Sequence, residues 1–326
     1  MEHHELTWRL DMSLRFRGIT TREGMLLRGR RGWGEWSPFL DYDGPELVPW
    51  LAAAHEAAEE DWPTPCRDSV PVNVTVPAVG PERAAAIVAD SGCRTAKVKV
   101  AEAGQGFAED LDRVTAVRSA LGPHGAVRLD ANGAWTVEQA AEAIGRLRHL
   151  DVEYVEQPCR SVTELAELRR RLARHGIDVA IAADESIRRS GDPERVAELE
   201  AADVAVLKVQ PLGGVRACLE LAERLGLPVV VSSALESSVG LAAGVVLAAA
   251  LPRLPFACGL NTSALLIGDL VSEPLATVDG RIEVQQALVM REKVDPSLCL
   301  AGPADAERWR HRLGATSRLS RIGAGQ

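Results

Sequence analysis

Three acids and three lysines stand in this chain where a divalent-cation acid–base site would need them. "VRLDAN" ends a strand-like run at Asp130, "EYVEQP" carries Glu156 and "VAIAADES" carries Asp184, spaced by 26 and 28 residues. Each gap is about one strand–helix unit, so the three acids fall at the ends of consecutive strands. Carboxylates brought together this way repel unless a cation joins them. An all-oxygen set with room for water and substrate oxygens suits Mg²⁺, with Mn²⁺ as the alternative occupant. No histidine lies near these strand ends, which argues against zinc.

Lys99 comes one unit before the acids and Lys208 one unit after them. Lys97 and Lys99 alternate with apolar residues in "TAKVKV", so both point to one face of a strand. A solvated edge is the ordinary reading of Lys-x-Lys. Here only four of the 37 basic residues are lysines, so ordinary surface charge is supplied by arginine. Arginine stays protonated, whereas a lysine can shift its pKa and act as a base. Lys99 reads as that base, and Lys97, one layer deeper, as the like charge that keeps it neutral.

Positioning these residues requires a repeating frame. From about residue 70, strand candidates (72–76, 95–100, 126–130, 153–156, 179–183, 204–209, 228–232 and 256–259) alternate with helical stretches such as "TVEQAAEAIGRLRHL" and "VTELAELRRRLARHG", the latter stopping at Gly176. That rhythm predicts a parallel sheet. No GxGxxG or P-loop supports an open nucleotide-binding sheet, while polar residues recur at strand ends, as in a closed barrel. The predicted fold is α/β: a (β/α)7β TIM-like barrel over residues 71–280. An α+β capping domain is expected from residues 1–70, with antiparallel strands and a helix near 45–60. The C-terminal segment, 281–326, is expected to pack with it as short strand and coil. In the closed ring the order Lys, Asp, Glu, Asp, Lys occupies strands two to six, and strands two and six face each other. The two lysines then flank whatever the acids hold.

Composition narrows the partners. A net charge of −9 without a basic block excludes nucleic acid as an expected partner. The longest apolar run, 239–251, is too short to span a bilayer and reads as a buried helix. The N-terminal "MEHHELTWRLDM" has no apolar signal core, and the six cysteines form no CxxC pair. These features predict a reduced, cytoplasmic protein. Oligomeric state is not legible. Trp33, Trp36 and Trp135 read as core, and the histidines carry no assigned role.

With KxK, then Asp, Glu-Gln-Pro, Asp-Glu-Ser and Lys, the chain resembles the enolase superfamily in its muconate-cycloisomerase-like subgroup. The motifs "RFRGITTREG", "GWGEWSPF", "VNVTVPA", "VRLDANGAW", "KVQPLGG" and "SSALESSVG" resemble the short actinobacterial o-succinylbenzoate synthase family. The resemblance implies a metal-dependent carbon–oxygen lyase of menaquinone synthesis, with a small-molecule carboxylate as its partner. It would carry out syn dehydration of 2-succinyl-6-hydroxy-2,4-cyclohexadiene-1-carboxylate through a metal-stabilised enediolate. Asp130, Glu156 and Asp184 would hold the metal, Lys99 would be base and then acid, and Lys208 would stabilise the anion from the other face. One departure stands out: Val-Gln-Pro-Leu-Gly-Gly follows Lys208, without the Arg-x-Gly-Gly of cycloisomerases and dipeptide epimerases. N-acylamino acid racemisation by the two lysines is the competing activity, and a silent carboxylate-binding barrel is the third.

Weaker candidates surround this set. Asn132 and Glu185 are expected to orient the ligands. Arg128 faces the interior and reads equally as a substrate contact or a structural ion pair. Ser232, Ser233 and Gly259 are candidate substrate contacts. The Ser237–Ser238 pair opens a helix whose N-terminus either takes a substrate carboxylate or is simply capped. "RFRGITTR" is positioned to close over the site.

Overall fold

Alternating strand and helix signals become parallel strands when each crossover helix returns the chain to the same end of the sheet. The computed structural model describes residues 4–189, 193–299 and 301–323. It begins with an antiparallel meander: β1 (Glu5–Phe16), β2 (Ile19–Gly29) and β3 (Gly32–Trp36). Arg17 and Gly18 turn β1 into β2 with φ of 51° and 76°, the conformation that matches the twist of a hairpin. Helix α1 (Leu47–Glu59) lies against β3. A Cβ on Gly34 would sit 1.8 Å from the Ala54 carbonyl, so only glycine permits this approach.

β4 (Ser69–Pro71) leads into the barrel. Its units are β5 (Val74–Val76) with α2 (Pro81–Ser91), β6 (Thr95–Lys99) with α3 (Phe107–Leu121) and β7 (Ala126–Asp130) with α4 (Val137–Leu147). Then come β8 (Val152–Glu156) with α5 (Val162–Arg174), and β9 (Ala180–Ala183) with two short helices, α6 (Glu185–Arg188) and α7 (Arg195–Glu198). β10 (Val204–Leu207) with α8 (Val215–Leu225) and β11 (Val229–Val231) with α9 (Ser238–Ala250) complete seven units. All seven strands are parallel, in spatial order from β5 to β11. Capping boxes at Thr136/Gln139 and Ser161/Glu164 start α4 and α5, and Gly176, at φ 63°, follows α5 as predicted.

The eighth strand is minimal. Cys258 N–H donates to Pro71 O at 2.7 Å and Cys258 O accepts from Asn73 at 2.9 Å. On the other side Gly259 N–H donates to Val231 O at 2.8 Å and its carbonyl accepts from Ser233 at 3.0 Å. These four bonds close the ring into a (β/α)7β barrel. A Cβ at Gly259 would stand 2.5 Å from Ser232 Oγ, so this residue serves the seam.

Beyond the barrel, β12 (Leu266–Ile267) joins the cap sheet beside β1, and β13 (Arg281–Glu283) pairs with β4. The expected short strand and coil after residue 280 is corrected here: α10 (Val284–Met290) packs on α9, and α11 (Pro303–Gly323) is a 21-residue helix against the cap. The composition of α11 is dominated by arginine and small residues. Its anchor is Trp309, fully buried edge-on to Trp36 with ring centres 5.3 Å apart. Arg312 donates to the carbonyls of Pro38, Phe39 and Tyr42. The C-terminal segment therefore divides, with 281–290 against β4 and the barrel helix α9 and 303–323 against the cap.

Candidate active site

Register places the chemistry. Lys99 pairs with Asp130 across β6–β7, and Asp130 with Glu156 across β7–β8, so three functional side chains share one row at the C-terminal rim. Asp184 follows β9 directly and Lys208 follows β10 directly. Lys99 and Lys208 thus stand on strands four places apart in an eight-stranded ring, on opposite sides of the mouth.

Each of the three acids is 1% exposed. Lys97 Nζ donates to both Glu156 oxygens at 2.9 and 3.0 Å and lies 3.3 Å from Asp130. Lys99 Nζ donates to Asp130 Oδ2 at 2.5 Å and Asn132 Oδ1 at 2.6 Å. Lys208 Nζ donates to Asp184 Oδ2 at 2.6 Å. Asn132 Nδ2 reaches Glu185 Oε1 at 3.3 Å, so both predicted supporting residues join the network.

Burial pushes Glu156 up to about 7; Lys97 pulls it down, while Asp130 and Asp184 add to the rise. For Asp130, burial is outweighed by the ammonium groups of Lys99 and Lys97, which hold it well below the usual carboxylate range. For Asp184, burial is outweighed by Arg188 and Lys208, with the same result. Burial lowers Lys208, against the pull of Asp184. Lys97 differs from its expected part: against burial, Glu156 and Asp130 hold it above its usual value, so its charge is balanced by acids.

Among the described residues no group of three or more His, Cys, Asp or Glu side chains is gathered as a finished metal cage; the acids here point at amines. The donor set nevertheless fits a hard divalent cation. Its oxygens are buried on neighbouring strands, and Glu156 is destabilised as an anion by the other two acids, a repulsion a dication removes.

Asp130, Lys97, Lys99 and Lys208 line a cavity roofed by Phe16 and Arg17 of the β1–β2 turn and walled by Ser232, Ser233 and Leu235. Glu156 and Asp184 do not line it but are bonded to its amines Lys97 and Lys208. That turn is the "RFRGITTR" segment, and Lys99 Nζ lies 5.3 Å from the Phe16 ring.

Three expectations are corrected. Arg128 does not line the cavity. Fully buried, it donates to Glu153 at 2.5 Å, Ala257 O at 2.6 Å and Asn73 at 3.2 Å, beneath the acids, and the structural reading holds. The N-terminus of α9 offers no amides to a substrate carboxylate. Gly240 and Ser237 N–H donate to Glu35 at 3.0 and 3.4 Å, Ser238 N–H donates to Asp269 at 3.1 Å, and Val239 N–H donates to the Ser237 hydroxyl at 3.2 Å. Carboxylates do sit there, but they belong to the protein. Gly259 does not line the cavity, whereas Ser232 and Ser233 do.

Sequence reasoning missed Arg188, which lines the cavity and donates to Asp184 at 2.9 Å and Glu185 at 2.5 Å, and also to Tyr42 Oη of the cap. Its signal was local: a basic residue four positions after Asp184, the spacing of one helical turn.

The family models agree with this architecture. Residues 7–58 match the enolase N-terminal domain-like family and residues 81–288 the enolase C-terminal domain-like family. The chain is 59% identical over 311 residues to the o-succinylbenzoate synthase of Thermobifida fusca, covering 94% of this chain and 93% of that protein. It is 50% identical to that of Mycolicibacterium smegmatis, covering 92% and 90%. In fold it is similar to a muconate lactonizing enzyme from Pseudomonas fluorescens, with a TM-score of 0.74 at 21% identity over 94% of this chain and 97% of that one. An N-succinyl Arg/Lys racemase from Bacillus cereus gives 0.71 at 20% identity, over 88% and 96%. Fold and matched domains thus define an enolase-type protein. Within that class, the chain belongs to the o-succinylbenzoate synthase family.

Proposed function

We propose that the protein is an o-succinylbenzoate synthase that dehydrates 2-succinyl-6-hydroxy-2,4-cyclohexadiene-1-carboxylate to 2-succinylbenzoate in menaquinone synthesis. The observation that carries the reading is 59% identity along nearly the whole length of a protein of that name.

Asp130, Glu156 and Asp184 would hold Mg²⁺. When bound, the ion supplies Lewis-acid stabilisation of negative charge on the substrate carboxylate. Lys99 removes the proton α to that carboxylate and returns it to the departing hydroxyl on the same face. One C–H and one C–O bond break, one water leaves, and the ring becomes aromatic. Asn132, accepting a hydrogen bond from Lys99 at 2.6 Å, aims the amine. Lys208, held by Asp184, faces the other side of the ring and offsets its developing charge. Phe16 and Arg17 of the cap exclude water above the reacting carbon.

We assign residues 1–70 to the cap and 71–280 to the catalytic barrel, with the C-terminal segment 281–326 divided between them. Among the described residues no helix is long and apolar enough to cross a membrane, and all six cysteines are free thiols. Both support a cytoplasmic setting.

The test is turnover of the purified protein with and without chelator. Mg²⁺-dependent aromatisation of the cyclohexadiene is the expected result. Racemisation of N-succinyl amino acids in its place would make the protein a racemase.

A further inference from the structure

The wall of the cavity opposite the acids is a short loop, Ser232–Leu235, between β11 and α9. Part of its shape is set locally, where Ala234 N–H donates to Glu236 at 2.6 Å and Leu235 N–H donates to the Ser233 hydroxyl at 3.4 Å. Leu235 sits at φ 61°, a left-handed conformation that disfavours any residue with a Cβ. Such a conformation persists when surrounding contacts over-determine it.

The contacts to the Ala234 and Leu235 carbonyls come from the cap. Arg22, 2% exposed, donates from Nε to the Leu235 carbonyl at 3.0 Å and from Nη2 to the Ala234 carbonyl at 3.2 Å. The same nitrogen donates to Ser37 O at 2.6 Å and Ser37 Oγ at 3.2 Å. Ser37 Oγ in turn donates to Glu35 at 2.6 Å. Glu35 then accepts from the Ser237 hydroxyl and from the Ser237 and Gly240 amides, where α9 begins. The fit is close: a Cβ on Gly240 would lie 2.9 Å from the Glu35 carboxyl carbon. Gln210, two residues after Lys208, accepts from Ser37 N–H at 3.0 Å, so the network also reaches the next strand end.

We infer that Arg22 and Glu35 are positioning residues for substrate recognition, holding the Ser232–Leu235 wall in its binding shape from the cap side. The inference rests on the proposed use of this cavity for the dehydration. Neither residue lines the cavity. Their enclosure is costly: burial pushes Glu35 up to about 7 and Arg22 down to about 10. Buried charges are poor stabilisers compared with apolar packing. What Arg22 supplies is direction, with a planar donor fork aimed at two carbonyls of the wall.

The experiment compares wild type, Arg22→Met and Glu35→Gln in the full chain with Mg²⁺. It reads amide hydrogen exchange by segment together with KM and kcat on the cyclohexadiene substrate. In both variants the 232–240 amides should exchange roughly tenfold faster while β6–β8 keep wild-type protection. KM should rise about tenfold with kcat within about threefold, the signature of lost binding rather than lost chemistry. Unchanged exchange at 232–240 overturns the inference. So does a uniform loss of protection across the barrel, or a fall in kcat without a rise in KM. Should Arg22→Met fail to accumulate, Glu35→Gln decides alone, because it keeps the side chain's size. If the wild type does not dehydrate the substrate, the proposed function fails, and the exchange comparison still decides the wall's dependence on the cap.

Discussion

Two neighbouring clusters of charge share strands β7 and β8, and they are built differently. At the rim, Asp130, Glu156 and Asp184 share the amines of Lys97, Lys99 and Lys208 beside a cavity. One layer down, Arg128 meets a single acid, Glu153, and two neutral oxygens, with Tyr154 and Phe256 rings 4.7 and 5.6 Å from its guanidinium carbon. Depth separates them only in part, since Arg128 is as buried as the rim acids while the Glu153 side chain is 31% exposed. The lower cluster is complete, since its cation is matched in charge and wrapped by aromatic faces. The upper one packs three acids where each disfavours another, and it opens toward a space a ligand can enter. Concentrated like charge facing a cavity, rather than burial, marks the reactive layer.

That contrast can be tested by breaking each layer in turn. Lys99→Arg keeps a positive charge but removes the titrating amine. It should lower kcat about 10³-fold or more with unchanged thermal unfolding, and activity within about tenfold of wild type would falsify the base assignment. Glu156→Gln should weaken Mg²⁺ binding, read by calorimetry, on the order of 100-fold, and chelation of the wild type should abolish turnover until Mg²⁺ is restored. Asn132→Ala leaves Lys99 without its second acceptor and should cost roughly tenfold in kcat, with KM little changed. Arg128→Met should do the reverse of all three: destabilisation by about 3 kcal/mol in denaturant titration, with kcat/KM within about threefold. A large loss of activity in folded Arg128→Met would erase the distinction between the layers.

Much of the upper layer was legible in the sequence because it violates the local pattern. Acids and lysines at the ends of otherwise apolar strands recur at the barrel's own repeat, and alternation along a strand fixes which way they point. The lower layer was half legible, since Arg128 faces inward either way and only its partners decide its role. What escaped notice depends on distant partners. Helix α11 looks too polar to pack until Trp309 is seen against Trp36 from the other end of the chain. The α9 N-terminus looks open to a ligand until Glu35 and Asp269, neither near it in sequence, fill it. Arg188 was within reach of helical spacing alone.

The meeting of Trp36 with Trp309 also has a bearing on how the molecule comes into being. A ribosome delivers Asp130, Glu156 and Asp184 well before the segment that carries Trp309. Until that segment emerges, the roof made from the first residues lacks its final support, and the acids are complete before their cover is. The cover of the rim therefore depends on a helix, α11, that is synthesised after all three acids.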